Sequence, residues 1–319
     1  MLRLFTNANY QFIEKRRIAY ALTLGALLLT LIFGIYWETR PQHSWLNYNV
    51  DFTGGTLMQV KFNQETSVAD LRDVIERAVP GTEITEFGAD NEFLVRAPRF
   101  TEEEGNTVEK LRAALDTRGQ PFEVVRTEAV GPKVGSELQR KAAIAVILSL
   151  AATLVYLAFR FEWRFGLAAV IATAHDTILT LGFISIFQLD VSLTTVAAVL
   201  TVLGFSLHDT IIIFDRVRED IKKSGRRFDY AQILNKAINE TLPRTILTVI
   251  TTEATLLSLA LFGGETVRAF ALIMFVGILL GTYSSIFVAS PVLYEIVKRW
   301  GQKDQVKGTV KPARVGAAS

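Results

Sequence analysis

Residues 193–214 read LTTVAAVLTVLGFSLHDTIIIF, a long apolar run that carries a single carboxyl group, Asp209. Spanning the hydrocarbon core of a membrane takes roughly 20 mostly apolar residues in a helix, so this run predicts a transmembrane helix. An ionisable side chain at the centre of such a helix costs about 2.5–3.5 kcal/mol on insertion scales. The run therefore places the chain in a membrane and marks Asp209 as a group that needs a partner or a task.

Five further runs meet the same length criterion, so the sequence predicts an α-helical polytopic membrane protein. The six predicted spans are 18–37, 142–159, 165–187, 193–214, 246–262 and 269–297. The chain is 50% hydrophobic and 21% charged, with a mean hydropathy of +0.29, whereas soluble domains carry about 25% charged residues. A cleaved signal peptide is the weaker interpretation of 18–37, because the run is long for one and no A-x-A-like site follows it.

Composition speaks against several other classes of protein. The absence of cysteine excludes a disulfide framework, a thiolate metal site and a cysteine nucleophile. Only three histidines are present, His43, His175 and His208, so we expect no metal site. A net charge of +2 gives no basic field for nucleic acid. Because phosphate-loop, Ser-His-Asp and dinucleotide motifs are also missing, we expect no catalytic site and no cofactor, so that any work draws on a gradient or on another subunit.

Lysine and arginine residues predict the orientation of the chain in the membrane. Twenty of them lie at one side of the predicted helices, while the short loops of the opposite side hold only Arg268. Because short cytoplasmic loops carry the excess of Lys and Arg, we expect a cytoplasmic N-terminus (1–17), loop (215–245) and tail (298–319). Residues 38–140 then lie outside the cytoplasm.

Residues 38–140 are long enough to form a domain of their own. Alternation over 56–62 predicts a strand, and the apolar face of 68–78 predicts a helix. The remaining pattern predicts short strands at 83–87 and 92–96, a helix at 101–116 and a strand at 122–130. This β-α-β-β-α-β order is that of an α+β ferredoxin-like fold.

Polar groups in the later spans form a candidate proton relay. Asp176 lies near the middle of the third span, and Arg244 stands just before the fifth. The fifth span adds a stripe of hydroxyl groups at Thr245, Thr248, Thr252 and Thr255. Burial raises the pKa of a carboxyl group and a nearby guanidinium lowers it, so a movement of Arg244 relative to Asp209 would switch the proton on this acid. A static cluster that only orients helices is the alternative.

Two His-Asp dipeptides, His175-Asp176 and His208-Asp209, also suggest a metal-dependent phosphohydrolase. Adjacent residues of a helix point about 100° apart, so neither pair is placed to bind one ion. Hydrocarbon is moreover a poor setting for phosphoester chemistry. We therefore reject this interpretation.

Two further features of the spans have simpler interpretations. Glu253 lies on a different face from the threonine stripe, so we interpret it as a neutral, packed residue, with a place on the polar path as the alternative. Gly277, Gly281 and Ser285 recur at four-residue spacing. Small residues at this spacing favour close contact between membrane helices, which predicts packing rather than chemistry.

Several segments resemble the SecD/SecF family of protein-export membrane subunits. The stretch VDFTGGT at 50–56 matches the DFxGG signature of the family at Asp51, Phe52, Gly54 and Gly55. The stretch VGPKVGSEL at 130–138 is similar to the segment that leads into the second span, at Gly131 and Pro132. Three stretches are similar to the SecF branch in particular, namely FRFEWR at 159–164, AHD at 174–176 and GFSLHDTIIIFDRVRE at 204–219. Arg244-Thr245 and FGG at 262–264 extend the match to the family.

The resemblance implies six transmembrane helices of the resistance-nodulation-division type, which pair with the six of SecD in the bacterial plasma (inner) membrane. It implies a role in preprotein translocation through the SecYEG channel after the ATP-driven phase, with the proton motive force as the energy source. Implied partners are SecD, SecYEG, YajC and a membrane insertase, together with the translocating preprotein and the lipid bilayer.

The resemblance also carries residue roles onto matching positions. The proton-relay aspartate of the family falls on Asp209, its partner arginine on Arg244, and its third-span acid on Asp176. The signature glycines are interpreted as structural, because paired glycines permit positive φ. His208 departs from the Asn that is common in the family. Since histidine titrates near neutral pH, His208 is a candidate for an added proton carrier or for a group that alters the pKa of Asp209.

Two other functions stay open on the sequence. A small-molecule or lipid exporter of the same superfamily would use the same kind of spans, although such exporters carry larger external domains in one long chain. A passive scaffold of the translocon would keep the polar cluster without conducting protons.

Overall fold

The computed structural model describes residues 8–40, 44–88, 91–97, 107–160, 162–224, 228–263 and 265–300. Within these ranges six helices are long and apolar enough to cross a membrane, which confirms the six predicted spans. The first five are α1 (Arg16–Glu38), α5 (Pro132–Arg160), α6 (Trp163–Ile186), α7 (Leu193–Ser224) and α8 (Tyr230–Phe262). The sixth is composite, and consists of α9 (Glu265–Ser284), a π-helical turn (Ser285–Ala289) and α10 (Ser290–Trp300).

An α+β domain is inserted between α1 and α5, as predicted. Its elements are β2 (Gly55–Phe62), α3 (Val68–Ala78), β3 (Glu83–Glu86), β4 (Glu92–Ala97), α4 (Thr107–Asp116) and β5 (Phe122–Val130). The strands form one antiparallel sheet in the order β3-β4-β2-β5, which is the ferredoxin-like arrangement. Buried side chains such as Met58, Leu71 and Leu111 fill the space between the helices and the sheet.

The start of α3 shows how local chemistry sets an element boundary in this domain. The Ser67 side chain accepts from the backbone N of Asp70, and the Asp70 carboxylate accepts from the backbone N of Ser67. This capping box satisfies donors that the first turn of a helix leaves free. Hydrogen bonds from Ser67 hold the pKa of Asp70 below its usual value.

The helices of the bundle differ in how much of their surface is covered. The helix α6, the helix α7 and the composite last helix are largely buried and form the centre, whereas α1 and α5 lie at the periphery. Only Ala19 and Thr30 are buried in α1. The side chain of Thr30 occupies the space that a Cβ at Gly182 would need, so α1 crosses α6 at close range.

The predicted cytoplasmic loop, 215–245, is mostly helical. The helix α7 continues to Ser224 and α8 begins at Tyr230, with the Asp229 side chain accepting from the backbone N of Ala231 at its start. Apolar residues of these extensions are buried in the bundle core at Val217, Tyr230, Ile233 and Leu234. A hydropathy criterion detects membrane spans and does not register an amphipathic helix that continues beyond them.

Two other helices differ from the spans that the sequence predicts. The helix α5 begins at Pro132, ten residues before the predicted span, and proline suits the first helical position because the amide there has no partner within the helix. The π-helical turn interrupts the last span, where the hydroxyl of Ser290 donates to the carbonyl of Ser285 (3.0 Å).

Some predictions fall outside the described residues. These are His43, the first residues of the predicted helix at 101–116, Gly264 and most of the predicted tail at 298–319.

Two short elements join the domain to the bundle. A two-residue strand, β1 (Asn47–Tyr48), pairs in parallel with β6 (Asp190–Val191) of the loop between α6 and α7. A single helical turn, α2 (Val50–Thr53), follows β1 and leads into β2. The end of the bundle that holds these elements is called the domain end below.

Candidate proton site

Asp209 lies where α7, α8 and α9 meet, and only 8% of it is exposed. It lines a cavity of about 10 Å³ together with Phe205, Ser206, His208, Thr248, Val249, Thr252, Ile278 and Thr282. Residues four apart share one face of a helix, which is how Thr248 and Thr252 of α8, and Ile278 and Thr282 of α9, reach the same point. The volume is at the lower limit for one water molecule, so protons would reach the carboxyl through side chains and very little water.

Thr282 is the hydroxyl most directly tied to this carboxyl. Its side chain lies close enough to Asp209 to act as a hydrogen-bond partner of the carboxyl, and its hydroxyl donates to the carbonyl of Ile278 (2.9 Å). A hydroxyl has one proton and two acceptor lone pairs. An ionised Asp209 therefore accepts from Thr282, whereas a protonated Asp209 donates to Thr282, which then donates to Ile278. The sequence predicts no role for Thr282, although a hydroxyl next to Gly281 in an apolar span is a signal for one.

Arg244 lies near Asp209 without forming an ion pair. Within the described residues no carboxylate approaches the Arg244 guanidinium to 4 Å, yet Arg244 is within electrostatic range of Asp209. Its side chain is exposed and lines a second cavity of about 580 Å³ at the end opposite the domain. The wall of that cavity includes the ion pairs Arg160–Asp215 (2.9 Å) and Arg216–Glu240 (2.5 Å).

Asp176 forms a second buried carboxyl centre beside the first. It is fully buried, and its Oδ1 lies 2.9 Å from Nδ1 of His175. Its Oδ2 accepts from the hydroxyls of Ser206 on α7 and of Ser284 on α9. Because Ser206 also lines the Asp209 cavity, one serine is shared by the two carboxyl centres. Neither serine stood out in the sequence as a partner of Asp176.

His208 and Glu253 occupy different positions relative to the site. His208 is exposed at the wall of the Asp209 cavity. Glu253 is 8% exposed, and neither of its carboxylate oxygens has a hydrogen-bond partner among the residues that the structure describes. It follows Thr252 on α8 but does not line the cavity.

The predicted threonine stripe of α8 divides into three environments. Thr248 and Thr252 line the Asp209 cavity, Thr245 is buried, and Thr255 is exposed. The hydroxyls of Thr252 and Thr255 donate to backbone carbonyls four residues earlier, at 2.9 and 3.0 Å. Such internal bonds satisfy a hydroxyl in an apolar setting, so only part of the stripe belongs to the site.

The small residues of the last span bring α9 close to α7. A Cβ at Gly277 would overlap the methyl groups of Val202, and a Cβ at Gly281 would lie 2.9 Å from the Cβ of Ser206. Ser285, the third residue of the predicted stripe, begins the π-helical turn, and its hydroxyl donates to the carbonyl of Thr282. The two glycines therefore set the distance across which Thr282 of α9 faces Asp209 of α7.

The DFxGG signature lies at the domain end, away from the carboxyl centres. Gly54 and Gly55 have φ of 71° and 126°, a conformation that residues with a Cβ adopt rarely. The carboxylate of Asp51 accepts from the backbone N of Leu193, the first residue of α7 (3.0 Å). Phe52 is buried among apolar residues of the bundle.

The segment leading into α5 packs onto this signature. A Cβ at Gly135 would lie 2.9 Å from the backbone N of Gly54 and 2.9 Å from the carbonyl O of Phe52. A Cβ at Gly131, which follows β5, would meet no atom within 4 Å. Pro132 is the first residue of α5. The close approach in this segment is therefore made by Gly135, on α5.

Two family models match the chain. The model described as protein export membrane protein SecD/SecF, C-terminal, matches residues 110–299, and the SecD/SecF GG motif matches residues 44–66. A SecF protein translocase subunit of Gemmatimonas aurantiaca is 44% identical over the full length of this chain and 96% of its own.

Solved structures agree with these matches. The crystal structure of SecDF from Thermus thermophilus, a translocon-associated membrane protein, superposes with a TM-score of 0.81 at 36% identity over 92% of this chain. A SecDF structure in a super-membrane-facing form gives a TM-score of 0.66 at the same identity and coverage. The chain spans 39% of the length of either SecDF chain. The length and identity of these matches show that the chain belongs to the SecF family of protein translocase subunits.

Proposed function

We propose that this chain works with SecD to convert the proton motive force into late-stage translocation of preprotein through the SecYEG channel. The observation that carries the proposal is the environment of Asp209, a buried carboxyl at a three-helix junction, surrounded by hydroxyls and within electrostatic range of Arg244. An ionisable group in such a position marks a proton pathway more often than a structural contact.

In this mechanism Asp209 gains a proton from the outer side and releases it toward the wide cavity at Arg244. Protonation removes the charge that attracts the guanidinium, so Arg244 and α8 are free to shift, and deprotonation draws them back. One charge that crosses 100 mV corresponds to about 2.3 kcal/mol, which is enough to bias two packings of the helices. The unequal TM-scores against two SecDF structures support a molecule with more than one arrangement.

The exposed side of α8 supports SecD as the partner within the membrane. Arg244, Thr248, Thr251, Thr255 and Ser258 are all exposed along this helix. A polar face with an arginine is costly against lipid, so a second polypeptide is the fitting cover for it. The SecDF structures hold a longer chain of which this one matches 39%. SecYEG, YajC and a membrane insertase complete the proposed set of partners.

The distribution of basic residues supports a location in the bacterial inner membrane with both termini in the cytoplasm. The α+β domain then lies outside, on the side where a preprotein emerges from the channel. This arrangement lets protons enter near the domain and leave near Arg244.

The test is Asp209→Asn in proteoliposomes that hold SecD and SecYEG. We expect proton flux and gradient-dependent late export to be lost, because an amide carries no exchangeable acid proton. Asp73→Asn is the matched control, since it makes the same change at an exposed carboxyl on α3 of the α+β domain, outside the spans and outside both cavities. Equal flux and equal export in Asp209→Asn and the wild type would leave the passive scaffold as the function.

A further inference from the structure

The α+β domain is joined to α7 by an ion pair that the sequence did not indicate. The Nη2 of Arg96, on β4, lies 2.9 Å from Oδ2 of Asp190, in the loop that precedes α7. The side chains of Arg96 and Asp190 are 18% and 35% exposed, so water screens the pair less than it would screen a fully exposed one. A charge-assisted bond of this kind is about twice as strong as a neutral one.

Asp190 is itself fixed to the start of α7. Its Oδ1 accepts from Nδ2 of Asn47 (2.8 Å), and its carbonyl accepts from the hydroxyl of Thr195 (2.8 Å), in the first turn of α7. Pairing of β1 with β6 holds the same loop from the other side. A force on Asp190 is therefore a force on the end of α7.

Asp51 provides a second point of attachment. Its carboxylate accepts from the first amide of α7, at Leu193, on a turn whose glycines let α5 approach at Gly135. A negative group at a helix N-terminus is favoured by the helix dipole and by the free amides there. Two separate attachments fix the orientation of a domain on a helix, whereas a single one would let it swivel.

The helix α7 connects these attachments with the proton site. It is continuous from Leu193 to Ser224 and carries Asp209 sixteen residues from its start, about 24 Å along a helix of 1.5 Å rise per residue. A helix of this length moves as a stiff element. Displacement of α7 at Asp209 therefore also displaces Asp190 and Leu193.

Arg96 has an alternative partner within its own domain. Its Nη1 lies 3.6 Å from Oε2 of Glu83, on the neighbouring strand β3. When the contact with Asp190 opens, the guanidinium keeps a carboxylate beside it and is not left unpaired, which lowers the cost of opening. The contact is thus suited to two states rather than to permanent attachment.

We propose that Arg96, Asp190 and Asp51 form a coupling joint through which proton-linked movement of α7 reaches the α+β domain. The inference rests on the proposed function, because it needs Asp209 to change its protonation state. Arg96, Asp190 and Asp51 are positioning residues in this scheme and carry no proton.

The test uses the natural absence of cysteine in the chain. Spin labels at Val125→Cys, on β5, and at Phe187→Cys, before the α6–α7 loop, report the distance between the domain and the bundle, since both positions are exposed. The distance and the proton flux are measured in proteoliposomes with SecD, with and without a proton gradient. When the joint is unaltered, we expect the distance between the two spin labels to depend on the proton gradient.

Arg96→Ala and Asp190→Ala should each reduce the gradient-dependent change in distance by about fivefold or more, while proton flux is retained. Glu83→Gln is the matched control, because it removes the other partner of Arg96 and leaves the joint in place. A triple variant that carries Glu83→Gln together with Arg96→Asp and Asp190→Arg exchanges the two charges of the joint. It should restore the gradient-dependent change in distance.

A movement that persists in Arg96→Ala, an equal loss in Glu83→Gln, or no recovery in the exchanged variant would overturn the joint. Loss of proton flux together with movement in Arg96→Ala would reveal a general structural defect and would also count against it. Asp209→Asn in the same assay separates the two ideas. If proton flux survives in Asp209→Asn, the proposed function fails. If Asp209→Asn loses proton flux but Arg96→Ala still shows the normal gradient-dependent movement, only the joint is refuted.

Discussion

At the scale of single residues, Glu253 is a buried acid without hydrogen-bond partners among the described residues. Burying a polar group without a hydrogen bond costs about 1–3 kcal/mol by mutational data. We therefore expect Glu253→Leu to raise the free energy of unfolding of the complex in detergent by a similar amount. Glu253→Gln should leave it unchanged, because the amide is as poorly satisfied as the acid.

Proton flux separates this structural interpretation of Glu253 from a place on the proton path. Glu253→Gln should conduct protons as the wild type does, since the side chain does not line the Asp209 cavity. A loss of flux in this variant, with stability unchanged, would assign Glu253 to the path instead.

Thr282 offers a sharper test of the Asp209 environment. Thr282→Val keeps the shape of the side chain and removes the hydroxyl that bonds to Asp209. A hydrogen bond to a charged group contributes about 1.5–3 kcal/mol, so we expect proton flux to fall by about tenfold or more. Thr282→Ser should conduct normally.

The control for Thr282 is Thr201→Val on α7. Its hydroxyl donates to the carbonyl of Ala197 and the residue is exposed, so the variant should not affect flux. Equal flux in Thr282→Val and Thr201→Val would mean that the hydroxyl bonded to Asp209 has no part in proton transfer.

The free-energy cost of placing a charged side chain in a membrane span explains which residues of the site could be predicted from the sequence. Asp176, Asp209 and Arg244 are conspicuous because charge in an apolar span is expensive. Serine is common in membrane helices, so Ser206 and Ser284 do not stand out in the sequence. Their role follows only from the packing of α7 and α9 on α6, which brings both hydroxyls to Asp176. Such convergence is a property of tertiary packing and leaves no spacing pattern in the chain.

At the scale of elements, the contact of α9 with α7 depends on the missing side chain of Gly277. A Cβ there would overlap Val202, and overpacking costs about 1–3 kcal/mol. We expect Gly277→Ala to lower the free energy of unfolding by this amount and to weaken proton flux, because the same helices form the Asp209 cavity. The measurement is unfolding in detergent beside the flux assay.

Two variants make this packing test specific. Gly204→Ala adds a methyl group where nothing lies within 4 Å, and should be neutral or stabilising by up to about 1 kcal/mol. Val202→Ala removes the methyl groups that a Cβ at 277 would strike, so it should partly rescue Gly277→Ala. Equal destabilisation in the two glycine variants would contradict a close contact at Gly277.

Element type was easier to predict than element length. Apolar runs and alternation indicated the spans and the strands, because burial in lipid or in a sheet imposes those patterns. The sequence predicts only a loop over the polar parts of α7 and α8, since composition does not reveal that these parts are helical and pack on each other. Nothing in the segment SIFVA at 285–289 marks a π-helical turn, as it contains neither Gly nor Pro.

At the scale of the whole molecule, the exposed polar face of α8 makes a prediction about assembly. A cysteine at Thr255 should react quickly with a maleimide when the chain is purified alone, and slowly in the complex with SecD, which would cover this face. A cysteine at Leu28, on the exposed side of α1, should react equally in both preparations. Equal reaction of Thr255→Cys in the two preparations would show that SecD does not cover α8.

The arrangement of the whole chain was predictable only in part. The order of spans and the ferredoxin-like domain followed from patterns within each segment. The attachment of domain to bundle did not, because it rests on the two-residue pairing of β1 with β6 and on single contacts such as Arg96–Asp190, between residues far apart in sequence.

The π-helical turn divides the last helix into two halves of different rotational phase. A turn with one additional residue rotates everything after it by about 100°, and beyond it Glu295 meets Arg16 of α1 at 2.8 Å. Deleting one residue from the turn would shorten the helix by only about 1.5 Å but would swing Glu295 away from α1. What this stretch of chain must keep is therefore the number of residues between Ser284 and Ser290, more than their identity.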